Sequence, residues 1–218
     1  MAPVAAALLG ALVTGGAAFA LSGRAAASVD HPSRWVSRPV VTALGVLSGL
    51  VAGLRMETWA EAGLYLATAV TLALLFATDL AAQLIPHRIM WPGMLAVLVG
   101  VGAAALITGQ PGRLGRAVLT GLGIMVVYFV IGWFGKGRFG LGDVSLSLLM
   151  GTFLGWLGVA HAVAGALLAF LVYVPVAVWL LLARRAGRTT EFAFGPCMIV
   201  ATWLAAFWGP YILSGWAR

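Results

Sequence analysis

Apolar residues fill this chain in blocks of roughly twenty, separated by short polar stretches. Blocks of that length match a bilayer core about 30 Å thick, crossed at about 1.5 Å per helical residue. In lipid, backbone N–H and C=O groups must find partners within their own segment, so each block is predicted to be a helix. Eight are predicted, over 3–22, 37–54, 60–79, 89–108, 115–134, 141–157, 159–183 and 195–214. The second is short, and the connection between the sixth and seventh is very tight. The expected fold is all-α, a polytopic integral membrane protein of about eight transmembrane helices. Residues 1–58 carry the first two helices and 59–218 a core of six.

Composition supports this pattern. The chain is 62% hydrophobic and 9% charged, against roughly 25% charged in an average soluble domain. Its mean hydropathy is +1.05. No polar stretch is long enough for a separate soluble domain. The net charge of +7 points to nucleic acid only at first sight, because the basic residues lie in short loops between apolar blocks. The bilayer is the expected partner, and nucleic acid is not. The single cysteine, Cys197, rules out an internal disulfide framework and a multi-cysteine zinc site. The first block, APVAAALLGALVTGGAAFALSG, ends in small residues but has no basic residue before it, so it is expected to stay as a span.

Where the basic residues fall sets the expected orientation. Loops 1–2, 3–4, 5–6 and 7–8 hold Arg24, Arg34, Arg38, Arg88, Lys136, Arg138, Arg184, Arg185 and Arg188. The opposite face holds Arg55, Arg113, Arg116 and Arg218. The positive-inside rule places the first group in the cytoplasm and both termini on the far side. Two of the six acids, Asp79 at the end of the third span and Asp143 at the start of the sixth, then lie on the cytoplasmic side. The segment FAFGPCM at 192–198 enters the eighth span from that side as well.

Each acid has a dull explanation to weigh. Asp143 suits a helix N-terminus, where the helix dipole favours negative charge. Asp79 lies at a C-terminus, where the dipole opposes it. Two facing carboxylates cannot both ionise easily, so such a pair holds one proton between them. The ionised member can then take a proton from water while the protonated one polarises a peptide carbonyl. Neither a metal nor another cofactor is required. Gly140 and Gly142, lacking a Cβ, let the backbone bend and a substrate strand approach. Pro86, after Ile85, interrupts the helix beyond Asp79.

Other polar residues are expected to be structural. His31, His87 and His161 are scattered, which disfavours a metal site. Glu57 and Glu61 sit near Arg55 and read as a solvated helix end. Asp30 and Glu191 lie in basic loops. Tryptophans such as Trp35, Trp59, Trp91 and Trp208 read as an interfacial belt, and GLVAG (49–53) and GTFLG (151–155) as close helix packing.

Three stretches in order carry a family resemblance. TDLAAQLIPHRIMWPG has an Asp followed six and seven positions later by Ile and Pro, GLGDVSLSLLMGTFLGWLG holds a GxGD motif, and FAFGPCMIVATWLA carries an FGP segment. Together they resemble the prepilin peptidases, or type IV leader peptidases, membrane aspartic proteases of the GxGD type. The resemblance implies removal of a short basic leader from type IV prepilins, Flp-type prepilins or secretion pseudopilins, at the cytoplasmic face of the bacterial inner membrane. It implies Asp79 and Asp143 as the catalytic pair, with Gly140, Gly142, Ile85, Pro86, Phe194, Gly195 and Pro196 as motif or substrate-binding positions. His87 stands where the family often has Asp or Asn, and Ser145 where it commonly has Lys. Bifunctional members carry a cytoplasmic insertion with paired cysteines and also methylate the new N-terminus. The corresponding loop here is short and has no cysteine, so a peptidase without methyltransferase activity is expected. The rival readings are a proton- or ion-coupled transporter, whose acids should lie nearer the bilayer centre, and a catalytically inactive pilus-assembly partner.

Overall fold

The computed structural model describes residues 3–30, 33–134, 140–182 and 193–216. Eight helices follow one another: α1 (Pro3–Ala26), α2 (Arg38–Arg55), α3 (Ala62–Ala82), α4 (His87–Thr108), α5 (Pro111–Phe134), α6 (Leu141–Leu157), α7 (Val159–Leu182) and α8 (Gly195–Trp216). No strand occurs among the described residues. Among the described residues, seven helical segments are long and apolar enough to cross a membrane, and α6 is a shorter apolar helix of 17 residues. The chain is an all-α polytopic membrane protein. Lys136, Arg138, Arg184, Arg185, Arg188, His31, Glu191, Phe192 and Arg218 lie outside the described residues.

Helix ends depart from the sequence expectation in ways local chemistry explains. α1 continues to Ala26, with Arg24 in its last turn, where a cation favours the carbonyl end of the dipole. α5 starts at Pro111 rather than 115, because proline is pre-organised for a first helical position and has no N–H to leave unpaired there. α3 runs to Ala82 and is closed by Gln83 in the left-handed conformation, at φ 53°. Between α6 and α7 stands one residue, Gly158, at φ +156°, a backbone that side-chain-bearing residues rarely adopt. That explains how two spans reverse across so short a connection.

Helices α1 and α2, α5 and α6, and α7 and α8 form the most intimate pairs, and α3 packs against α1, α2, α4 and α8. Small residues make these approaches possible. A Cβ on Gly49 would run into the Gly10 carbonyl, and one on Gly155 would sit 2.8 Å from Thr120. The expected close packing at 49–53 and 151–155 is therefore present. At the centre, Tyr65 meets Phe153 edge-on at 5.3 Å, and Phe153 meets Trp203 at 5.6 Å. This aromatic chain ties α3, α6 and α8 into one core.

Candidate active site

Asp79 lies in the last turn of α3 and Asp143 in the first turn of α6. The two side chains come from helices that meet end to start, close enough that the charge on Asp79 is felt at Asp143. Asp79 is buried, with 4% of its surface exposed, and Asp143 is half-buried. Neither acid forms an ion pair among the described residues.

Local backbone positions each acid. Gly140 is the N-cap of α6, and its N–H approaches the carboxylate of Asp143, three residues on. This is the reach-back half of a capping box, so the dull role for Asp143 is met as well. Asp79 has no such helix-end role. Its carboxylate is approached instead by the backbone N–H of Gly195, the first residue of α8. That amide lies against the carboxylate, yet Asp79 Oδ2 has no well-formed hydrogen bond among the described residues. A Cβ on Gly195 would collide with this same oxygen. An alanine there would have to displace the Asp79 carboxylate.

The remaining motif residues assemble around the pair. The place of a Cβ on Gly142 is only 3.0 Å from the Ile85 Cβ, so α6 begins pressed against the connection between α3 and α4. Gly142 supplies close approach rather than an unusual backbone, since neither it nor Gly140 has positive φ. Pro86 is the buried N-cap of α4, its carbonyl accepting from the Ile89 and Met90 amides at 3.0 and 2.9 Å. Phe194 is buried among Tyr128, Phe170 and Tyr173, with ring centroids 6.3, 5.2 and 5.2 Å away. This aromatic cage, from α5 and α7, fixes the entry of α8 and with it the Gly195 amide. Pro196 is half-buried at the first turn of α8. Tyr128, which the sequence reading did not single out, also lies within electrostatic reach of Asp143, and its hydroxyl donates to the Ala166 carbonyl at 3.2 Å. Ser145 spends its hydroxyl on the Leu141 carbonyl, and His87 Nδ1 accepts from Trp91 Nε1 at 3.2 Å.

The opposite end of the bundle corrects one expectation. Glu61 is not solvated. It is 4% exposed, accepts a 2.9 Å hydrogen bond from Trp156 Nε1 and lies 3.8 Å from Arg113. Trp156 is fully buried, and Arg113 stacks over its ring at 4.7 Å. Only Glu57 remains exposed, paired with Arg55 at 2.6 Å. Arg116 donates to the Gly155 and Trp156 carbonyls at the end of α6, and Arg55 Nε donates to the Ala206 carbonyl at 2.6 Å. Pro210, four residues after Ala206 within α8, lacks the N–H that would normally serve that carbonyl. The arginine replaces it. Among the described residues no three His, Cys, Asp or Glu side chains converge as a metal would need.

The profile of the type IV leader peptidase family matches residues 66–181, a stretch that includes Asp79, Ile85, Pro86, Gly140, Gly142 and Asp143. A prepilin leader peptidase/N-methyltransferase of Pseudomonas putida is 30% identical over 197 residues, covering 90% of this chain and 66% of that protein. Proteins of the same name from Aeromonas hydrophila and Pseudomonas aeruginosa are each 30% identical, covering 80% and 79% of this chain and 59% and 58% of their own length. The chain thus spans about three fifths to two thirds of these relatives. No solved structure matches it. With half the chain under the family profile and the motif residues gathered at one end of the bundle, the chain belongs to the type IV leader peptidase family.

Proposed function

We propose that this protein is a membrane aspartic endopeptidase that removes the leader from type IV or Flp-type prepilins or pseudopilins. The observation that carries this reading is a buried carboxylate and a half-buried one, from α3 and α6, within electrostatic reach of each other and neither ion-paired among the described residues. In this mechanism the pair holds one proton. The ionised carboxylate takes a proton from a water, whose oxygen attacks the scissile carbonyl, and the protonated carboxyl hydrogen-bonds to that carbonyl oxygen. Collapse of the tetrahedral intermediate breaks the C–N bond, and the departing amine takes a proton from the carboxyl that gained one. The Gly195 and Gly140 amides stabilise negative charge on Asp79 and Asp143 through both steps.

The site's position favours a peptidase over an ion pathway. Both acids sit within a turn of a helix end, where a water-borne leader can reach them, rather than at mid-membrane. The excess of basic loop residues on that side supports a cytoplasmic location in the bacterial inner membrane. The loop between α1 and α2 contains no cysteine, which supports a peptidase without the methyltransferase activity named in its relatives.

The test is cleavage of a prepilin precursor co-expressed with the protein, read as a leader-sized mobility shift. Cleavage by the wild type and its loss in Asp79→Asn and Asp143→Asn support the proposal. Normal cleavage by a folded Asp143→Asn protein returns that residue to a capping role. Labelling of single cysteines placed in the 3–4, 5–6 and 7–8 loops should report the cytoplasm for all three, and periplasmic labelling of the 5–6 loop overturns the orientation.

A further inference from the structure

A groove opens between α2, α3 and α8 toward the lipid, with a volume of about 150 Å³. Leu47, Ser48, Phe76, Ile199, Val200 and Trp203 are among the residues that line it. Leu47 and Val200 form exposed rims, at 58% and 40%. A space of this size holds one aromatic ring or branched aliphatic side chain rather than a free cofactor-sized molecule, for which pockets run about 300–1,000 Å³. It is shaped to take a knob from a helix lying alongside.

The groove's place along the helices connects it to the acids. Phe76 precedes Asp79 by three residues and Ile199 follows Gly195 by four, spacings that put each pair on one helix face. At about 1.5 Å per residue, the groove begins roughly 4.5–6 Å deeper in the bilayer than Asp79 and the Gly195 amide. An extended segment crossing the acids can therefore continue directly into it as a membrane-embedded helix.

One buried polar group separates a peptide occupant from a lipid tail. Ser48 is 9% exposed, lines the groove, and its hydroxyl has no hydrogen-bond partner. Helical hydroxyls elsewhere in the bundle behave otherwise, as Thr14, Thr42 and Thr68 each donate to a carbonyl four residues back. An acyl chain offers Ser48 no acceptor, whereas a polypeptide carbonyl or polar side chain does.

We propose that this groove seats the apolar membrane-spanning segment of the protein substrate immediately beyond the bond to be cut, with Ser48 hydrogen-bonded to it. The assignment rests on the peptidase reading above. It makes α2 part of the substrate site and divides recognition between a polar leader outside the bilayer and an apolar helix within it.

The experiment combines a specificity ratio with direct capture. Val200→Trp and Leu47→Trp fill the groove. They should lower at least tenfold the ratio of kcat/KM for an intact type IV prepilin to that for a synthetic peptide that keeps the leader, the scissile bond and only the first few residues beyond it. Ser48→Ala should lower that ratio about fivefold, the usual worth of one hydrogen bond. In parallel, p-benzoylphenylalanine at position 47 or 200 of the Asp143→Asn protein should yield a photo-adduct with the intact prepilin in membranes. The same probe at Val99, a lipid-exposed residue of α4, should not. An unchanged ratio, or adducts with lipid alone at 47 and 200, overturns the groove assignment while leaving cleavage intact. A prepilin adduct at 200 from a protein whose wild-type form cleaves no precursor sinks the peptidase reading and keeps the groove.

Discussion

The two ends of this bundle each bury acid, and they treat it in opposite ways. At one end Glu61 is matched by an indole N–H and a guanidinium, Trp156 and Arg113, from α6 and α5. At the other, Asp79 and Asp143 lie within electrostatic reach of each other, with no cation paired to either among the described residues and only the Gly195 and Gly140 backbone amides approaching them. An acid given an indole donor and a cation through Oε1 ties helices together, even though its Oε2 has no hydrogen-bond partner among the described residues. Two acids without a cation compete for one proton, which is the condition acid–base chemistry needs. Burial alone does not distinguish the two ends, because Glu61 and Asp79 are equally hidden. The partners do.

The comparison can be broken most sharply at the acids. Asp79→Asn and Asp143→Asn should each reduce prepilin cleavage by about a thousandfold or more, and the double variant should be no worse, because residues acting as one unit are non-additive. Thermal melting in detergent should stay near that of the wild type. Glu61→Ala should do the reverse. By leaving Trp156 Nε1 without its acceptor it should cost about 1–3 kcal/mol of stability, seen as a lower melting midpoint, while protein that remains folded keeps its kcat. A Glu61→Ala protein that melts normally but cannot cleave would erase the distinction between the ends.

Gly195→Ala sharpens the comparison, because its methyl displaces the Asp79 carboxylate. A displacement near 1 Å is worth about a hundredfold in rate, so cleavage should fall by about that factor with folding retained. Gly140→Ala, whose Cβ would meet Asp143 Oδ2 at an ordinary 3.5 Å, should be much milder. The smallest effect belongs to Arg55→Met, which leaves the Ala206 carbonyl unserved and should cost about 1–3 kcal/mol by chemical or thermal unfolding. In a Pro210→Ala background the helix has its own N–H for that carbonyl. The Arg55→Met penalty should then shrink, and equal penalties in both backgrounds would separate Arg55 from the proline.

Much of this was legible because lipid enforces it. Helix number and approximate ends follow from runs of apolar residues, and an ionisable group at the edge of a span is conspicuous in a chain with six acids. The misreading of Glu61 has a specific cause. Its sequence neighbours are Arg55 and Glu57, but its partners are Arg113 and Trp156, and no local pattern announces a pair 95 residues apart. A signal was present in its spacing, since Glu61 stands four residues before Tyr65, a residue 1% exposed and facing the core. Pro210 carried another, because a proline inside a span leaves a carbonyl in need of a donor. The contact of Gly142 with Ile85 and that of Gly195 with Asp79 join separate motifs. Their order along the chain states that the motifs exist but not that they touch.

The Gly195 amide has a consequence for how the protein comes to life. Asp79 leaves the ribosome long before the start of α8, and at about 5–20 residues per second the interval is on the order of ten seconds. Throughout it the nascent chain holds α3 and then α6 without the backbone donor that Asp79 meets in the finished bundle. The site is completed only when the final hairpin inserts. On the proposed function, the newborn chain is thus silent toward passing membrane proteins until its own synthesis is nearly over.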